Sequence, residues 1–144
     1  MLCLLKFFKR REAGRFVGRA RVRDAVTHAT ATRNGLADYV VDQLNTGTLE
    51  LQTSGNVEVA TLTFGGTAFG AATGGTATAN AITPDSNATG GTAAKGVFKT
   101  SGATSIVFCS VTGSGGGGDI ELNSAVISAS QEVSLTSLTY TASP

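Results

Sequence analysis

At Gly47 the spacing of apolar residues changes from a helical period to a strand period, and this switch limits the folds open to the chain. Before it, in NGLADYVVDQLN (34–45), Leu36, Tyr39, Val40, Gln43 and Leu44 fall on one face of a helix. Asp38 and Asp42 lie on the other face, where like charges one turn apart suit solvent. Asn45-Thr46-Gly47 ends the element, and Gly47 is expected to take the left-handed position past the last turn. Asp24 is a second, weaker helix-cap signal ahead of Ala25.

After Gly47 the segments TLELQ (48–52) and VEVATLTF (57–64) alternate apolar and polar residues around the turn TSGN (53–56), with Gly55 expected at positive φ. The alternation slips at Val59–Ala60, which predicts a bulge or a strand that changes sheet. Further strands are expected at TATANAI (76–82), KGVFKT (95–100), SIVFCSV (105–111), DIELN (119–123), SAVIS (124–128) and EVSLTSLTY (132–140). SGAT (101–104) resembles TSGN as a hairpin turn, and EVSLTSLTY slips phase between Val133/Leu135 and Leu138/Tyr140. Short strands with turn signals every ~8–12 residues predict a mainly β fold. The expected form is an antiparallel β-sandwich, jelly-roll or Ig-like, with one N-terminal α-helix. The expected division is a basic leader over 1–24, a helix segment over 25–47 and the β-sandwich domain over 48–144.

The expected core is Leu36, Val40, Leu44, Leu49, Leu51, Val59, Leu62, Phe64, Ile82, Val97, Ile106, Phe108, Val111, Ile120, Leu122, Val126, Val133, Leu135, Leu138 and Tyr140. That is a modest core, since Thr, Ala, Ser and Gly take the place of charged residues. Only 15% of the chain is charged, against about 25% in an ordinary globular protein. Such thin strands predict stability that leans on an assembly. Between residues 64 and 93 the tetrapeptide GGTA occurs at 65–68, 74–77 and 90–93. The spacing is irregular, which excludes a solenoid, and no Lys-Ser/Thr follows as in a phosphate loop. The Gly-Gly pairs read as bends between small-residue strands, and those strands are the expected packing surface for a neighbouring subunit.

Charge is split along the chain. Residues 1–26 hold Lys6, Lys9, Arg10, Arg11, Arg15, Arg19, Arg21 and Arg23 against Glu12 and Asp24. Residues 34–144 hold only Lys95 and Lys99 against Asp38, Asp42, Glu50, Glu58, Asp85, Asp119, Glu121 and Glu132. In the leader the apolar residues precede the charges, the reverse of a secretory signal. It reads either as an arm that contacts a partner or phosphates without sequence specificity, or as an extension from an over-long start. No run reaches the roughly 18 apolar residues of a membrane span.

Chemistry-bearing patterns are sparse. Gly113, Gly115 and Gly118 satisfy GxGxxG formally, but a strand rather than a helix follows, so the stretch reads as a flexible loop and not a nucleotide site. His28 is the single histidine and has no metal-spaced companions. Asp119 and Glu121 could join a loop carbonyl around calcium or simply face solvent. Asn87-Ala88-Thr89 fits a glycosylation sequon. Cys109 sits in an apolar run as a small buried thiol, and a bond to Cys3 is not expected. Phe69 and Tyr39 are the candidate exposed aromatics for a carbohydrate-binding reading. No catalytic, cofactor or metal residues are assigned, and the chain is not expected to be an enzyme.

From Ala25 to Pro144 the chain resembles a family of small proteins encoded in the structural gene clusters of tailed bacteriophages. The resemblance rests on HATATRNGLADYVVDQLNTG, LELQTSGNVEVATLTF, TATANAITPDSNATGGTAAKG, CSVTGSGGGGDIELNSAVIS and VSLTSLTYT, in that order. Members usually begin near the helix, so residues 1–24 depart from the pattern. The resemblance implies a non-enzymatic virion protein assembled in the bacterial host cytoplasm. A capsid decoration, or cement, protein is the leading form, and a neck or tail component is the alternative. A surface- or carbohydrate-binding module is a further alternative. The implied partners are further copies of itself, a trimer among the options, and the major capsid protein or other virion proteins. No specific nucleic acid and no membrane are implied.

Overall fold

The computed structural model describes residues 27–143. The leader and its Asp24 cap signal lie outside the described residues. One helix, α1 (Thr30–Asp42), precedes ten short strands. They are β1 (Thr48–Gln52), β2 (Glu58–Phe64), β3 (Thr76–Thr78), β4 (Ile82–Thr83), β5 (Gly91–Thr92), β6 (Lys95–Lys99), β7 (Ser105–Gly113), β8 (Ile120–Leu122), β9 (Val126–Ile127) and β10 (Thr139–Thr141). Six of them form a sheet in the order β4-β2-β1-β6-β7-β8, and two ribbons, β10-β3 and β5-β9, complete the structure. Among the described residues the protein is mainly β with one helix, as the period switch predicts.

The main sheet is built from two hairpins joined edge to edge. β1–β2 turns through Thr53-Ser54-Gly55-Asn56 and β6–β7 through Thr100-Ser101-Gly102-Ala103. In each turn the threonine backbone and hydroxyl close the loop in the same way. Thr53 N–H donates to Val57 O and Val57 N–H to Thr53 Oγ1, while Thr100 N–H donates to Thr104 O and Thr104 N–H to Thr100 Oγ1. The left-handed residue is Asn56 (φ 63°) in one and Ala103 (φ 61°) in the other, not Gly55 as expected. Each second strand then carries one extra residue, Val59 in β2 and Ile106 in β7. The slip at Val59–Ala60 is therefore a bulge, which turns both side chains inward.

The hairpins are related by a local two-fold through the Glu50–Val97 pair. β1 and β6 run antiparallel with Leu49 opposite Phe98 and Leu51 opposite Gly96. At one constant sequence offset Thr53 falls on Thr100, Thr61 on Phe108, Leu62 on Cys109 and Phe64 on Val111. The correspondence extends to backbone bonds: Phe64 N–H reaches Gly47 O, and Val111 N–H reaches Ala94 O.

Pairing is antiparallel throughout except at β7–β8, which is parallel, with Val111 opposite Ile120. Parallel neighbours ordinarily need a crossover of a dozen or more residues. Here the short segment 114–119 returns the chain. Glycine makes this possible: a Cβ on Gly116 would lie 2.6 Å from Thr112 Cβ, and Gly118 N–H donates to Thr112 Oγ1 at 3.0 Å. The exposed loop is tied to its flanking strands by these contacts. TATANAI is likewise not one strand. The chain leaves the ribbon at Asn80, whose N–H meets Ala68 O, and joins the main sheet two residues later. The phase slip in EVSLTSLTY marks a similar exit, leaving only a bridge at Val133 and strand β10.

The helix buries a different face from the one its apolar pattern predicts. Ala37, Val41 and Leu44 are buried, whereas Leu36 is 44% and Tyr39 71% exposed. The Gly/Ala-rich segment 68–75 explains the rotation, because its backbone donors need acceptors when covered. Asn34 Oδ1 takes Gly75 N–H at 2.7 Å, Asp38 Oδ1 takes Ala72 N–H at 2.7 Å and Asn45 Oδ1 takes Ala68 N–H at 2.8 Å. Asp38 therefore faces the body rather than solvent. The left-handed residue after the helix is Thr46 (φ 58°), not Gly47. Gly47 is needed for close approach, since a Cβ there would lie 2.2 Å from Lys99 O.

The core joins Leu49, Leu51, Leu62 and Phe64 to a set of alanines, Ala37, Ala60, Ala68, Ala72, Ala77, Ala88 and Ala93. Phe64 stacks near-parallel on Phe98 at 6.1 Å and meets Phe69 at 5.7 Å. The alanines that close the three GGTA copies, Ala68, Ala77 and Ala93, are buried in this core. Of the expected core, Phe108 and Val126 are exposed along with Leu36.

Candidate functional site

Of the residues singled out by type, Asp119 and Glu121 serve the fold. Asp119 accepts from Ser110 N–H at 2.8 Å and Ser110 Oγ at 2.7 Å. The Ser110 hydroxyl and amide hold its carboxyl below the usual carboxylate range. Glu121 takes Gly117 N–H at 2.8 Å, so both acids brace the glycine loop. Among the described residues no group of three or more His, Cys, Asp or Glu side chains converges as a metal site would require. His28 is exposed at the start of the described chain. Asn87 and Thr89 are exposed, and the Thr89 hydroxyl donates to Glu58 at 2.6 Å. Phe69, a candidate surface aromatic, is instead buried at 4% exposure. No helix among the described residues is long and apolar enough to cross a membrane.

Cys109 is a free, half-buried thiol with Sγ 3.5 Å from Gly96 O. Burial, and then the Asp119 carboxylate, push its pKa up to about 11, against a smaller opposing effect of a backbone hydrogen bond with Gly96. A thiol held protonated in this way is a poor nucleophile. A shallow hollow of about 250 Å³ lies between Ala79–Ile82 and Leu135–Leu138. Its lining contains no titratable side chain and offers no acid–base chemistry.

Two apolar surfaces remain uncovered. The outer stripe of α1 presents Leu36, which the apolar pattern places in the core, and Tyr39, a candidate exposed aromatic that is indeed exposed. The second lies on β7. Thr61, Glu50, Val97 and Phe108 form one row across β2, β1, β6 and β7. At its centre Glu50 bonds Lys99 and Gln52. Burial raises the Glu50 pKa, but the Lys99 and Gln52 hydrogen bonds and the Lys99 charge outweigh it and leave it below the ordinary value. At the β7 end Phe108 is 72% exposed. The signal was present in the sequence: SIVFCSV is apolar on both faces, a pattern of strands covered on both sides.

The backbone of β7 is also partly open. β8 pairs only Val111–Gly113, and Asp119 takes the Ser110 N–H. By strand alternation the N–H and C=O of Phe108 point the same way as those of Ser110. Among the described residues they have no partner. The equivalent Thr61 N–H on β2 is taken by Asp85 at 2.8 Å, and Gly90 N–H covers Val59 O at 3.1 Å. The arrangement suits contact with another protein surface better than chemistry on a small molecule. No protein-family model, curated protein or solved structure matches this chain.

Proposed function

We propose that this protein is a non-enzymatic structural component of a tailed-phage particle, a capsid decoration protein that stabilises the head by binding the capsid lattice as an oligomer. The observation that carries the proposal is the mismatch between inside and outside. Alanines fill much of the core, while Leu36, Tyr39, Val57, Phe108 and Val126 stand exposed. Single exposed apolar residues are ordinary. A helix stripe and a strand edge left open on one small domain favour a chain that completes its burial in an assembly. In this reading the sheet and the two ribbons are the unequal layers of a β-sandwich. The resemblance in segment order, from HATATRNGLADYV to VSLTSLTYT, adds the phage context.

Quantitative mass spectrometry of purified particles tests the proposal. A copy number comparable to that of the major capsid protein is expected. A few copies per particle would move the protein to the neck or tail, and absence from particles would remove the virion role altogether.

A further inference from the structure

From the open edge of β7 we infer that two copies of this protein pair antiparallel through Ile106–Ser110, with Phe108 opposite its own counterpart. The inference rests on the assembly-forming reading above and names its surface and symmetry. A strand edge with free N–H and C=O groups is a template for another strand. Sheets usually guard such edges with charge, proline or brevity. The opposite edge of this sheet has all but the charge: β4 is two residues long and stops at Pro84. The β7 edge reads SIVFCS, with no charge and no proline.

The choice of a second copy follows from self-complementarity. An antiparallel pair about a two-fold sets Phe108 N–H on the C=O of the other Phe108, and the reverse. The two exposed rings then become a cross-strand aromatic pair on one face. The strand's own residues bring no charge to the pairing, and the two-fold sets the Asp119 carboxylates at opposite ends of it rather than against each other. The chain already uses this geometry internally, where β1 and β6 join equivalent hairpins about the local two-fold. Asp119, bonded to Ser110 N–H, ends the open stretch and so sets the register.

The experiment uses the full chain, with light-scattering mass and residue-resolved amide exchange measured over a range of concentrations. Expected are a dimer or an even multiple, and exchange at the Phe108 amide slowed about tenfold or more as the dimer forms. Phe108→Pro removes the exposed ring and, from the backbone, only an outward N–H, which an edge strand tolerates, and is expected to give a folded monomer. Phe108→Thr, which copies Thr61 and keeps the N–H, is expected to weaken dimerisation about tenfold. Three results would overturn the inference: a trimer, an oligomer in which the Phe108 amide still exchanges fast, or protection of Phe108 only on added capsids. The first two leave an assembly-forming protein with a different interface. A monomer at all concentrations, with or without capsids, would remove the assembly reading as well.

Discussion

The β1–β2 and β6–β7 hairpins share a turn, a bulge and a register, yet they sit in different surroundings. Along β2 the inward residues Ala60, Leu62 and Phe64 are buried. Their equivalents on β7 are Val107 and Cys109, both half-buried, and Val111. On the outward row Thr61 is held by Asp85 whereas Phe108 stands in solvent. The segment 85–91 that closes over β2 has no counterpart over β7 among the described residues. Backbone geometry in the two hairpins follows local residues, Thr-Ser-Gly and the next position. Burial follows from what the rest of the chain is long enough to cover.

The difference predicts unequal responses to matched substitutions. Leu62→Ala opens a void in a fully enclosed site and is expected to cost about 2–5 kcal/mol. Cys109→Ala, its equivalent, removes one half-exposed atom and is expected to cost under about 1 kcal/mol. Urea denaturation of both variants measures the contrast, and equal losses would mean the β7 half is as enclosed as the β2 half.

Gly47 and Ala94 occupy equivalent positions but differ in clearance. Gly47→Ala drives a Cβ onto the Lys99 carbonyl and is expected to cost about 1–3 kcal/mol. Ala94→Gly should cost no more than about 1 kcal/mol through chain entropy. Thermal unfolding of the pair checks this, and a neutral Gly47→Ala would show that the α1–β1 connection yields easily.

The smallest effect concerns the self-equivalent pair at the local two-fold, Glu50 and Val97. The Glu50 pKa in the folded protein lies below its ordinary value. Its stabilising contribution is therefore present above the unfolded pKa and is lost as pH falls through the lowered folded value. Glu50→Gln should flatten the acid limb of the stability profile, whereas Val97→Thr, at the equivalent position, keeps Glu50 and Lys99 and should retain it. An unchanged acid limb in Glu50→Gln would mean that Lys99 contributes nothing there.

Much of the architecture was legible from local pattern. The strand over 48–52, the hairpin turns and the bulge at Val59 follow from alternation and its interruption, which are short-range properties. Which face of α1 turns inward was not legible. Leu36, Tyr39 and Val40 form the stronger apolar stripe, but Asn34, Asp38 and Asn45 were needed to accept amides from segment 68–75. That demand arises from a segment many residues away, and no helical periodicity reports it. Exposure of Phe108 is the same kind of outcome, because apolarity alone does not say whether the chain or a partner supplies the cover.

Sequence by itself determined the class of this protein: one helix, a switch of period at Gly47, and short strands punctuated by glycine and threonine turns. Tertiary structure alone decided that two hairpins join about a local two-fold, that a glycine-rich segment returns β8 parallel to β7, and that one strand edge stays open. The physical reason is range. Period, turn chemistry and bulges depend on neighbours a few residues apart, whereas satisfaction of backbone donors and coverage of apolar faces depend on which distant segments arrive.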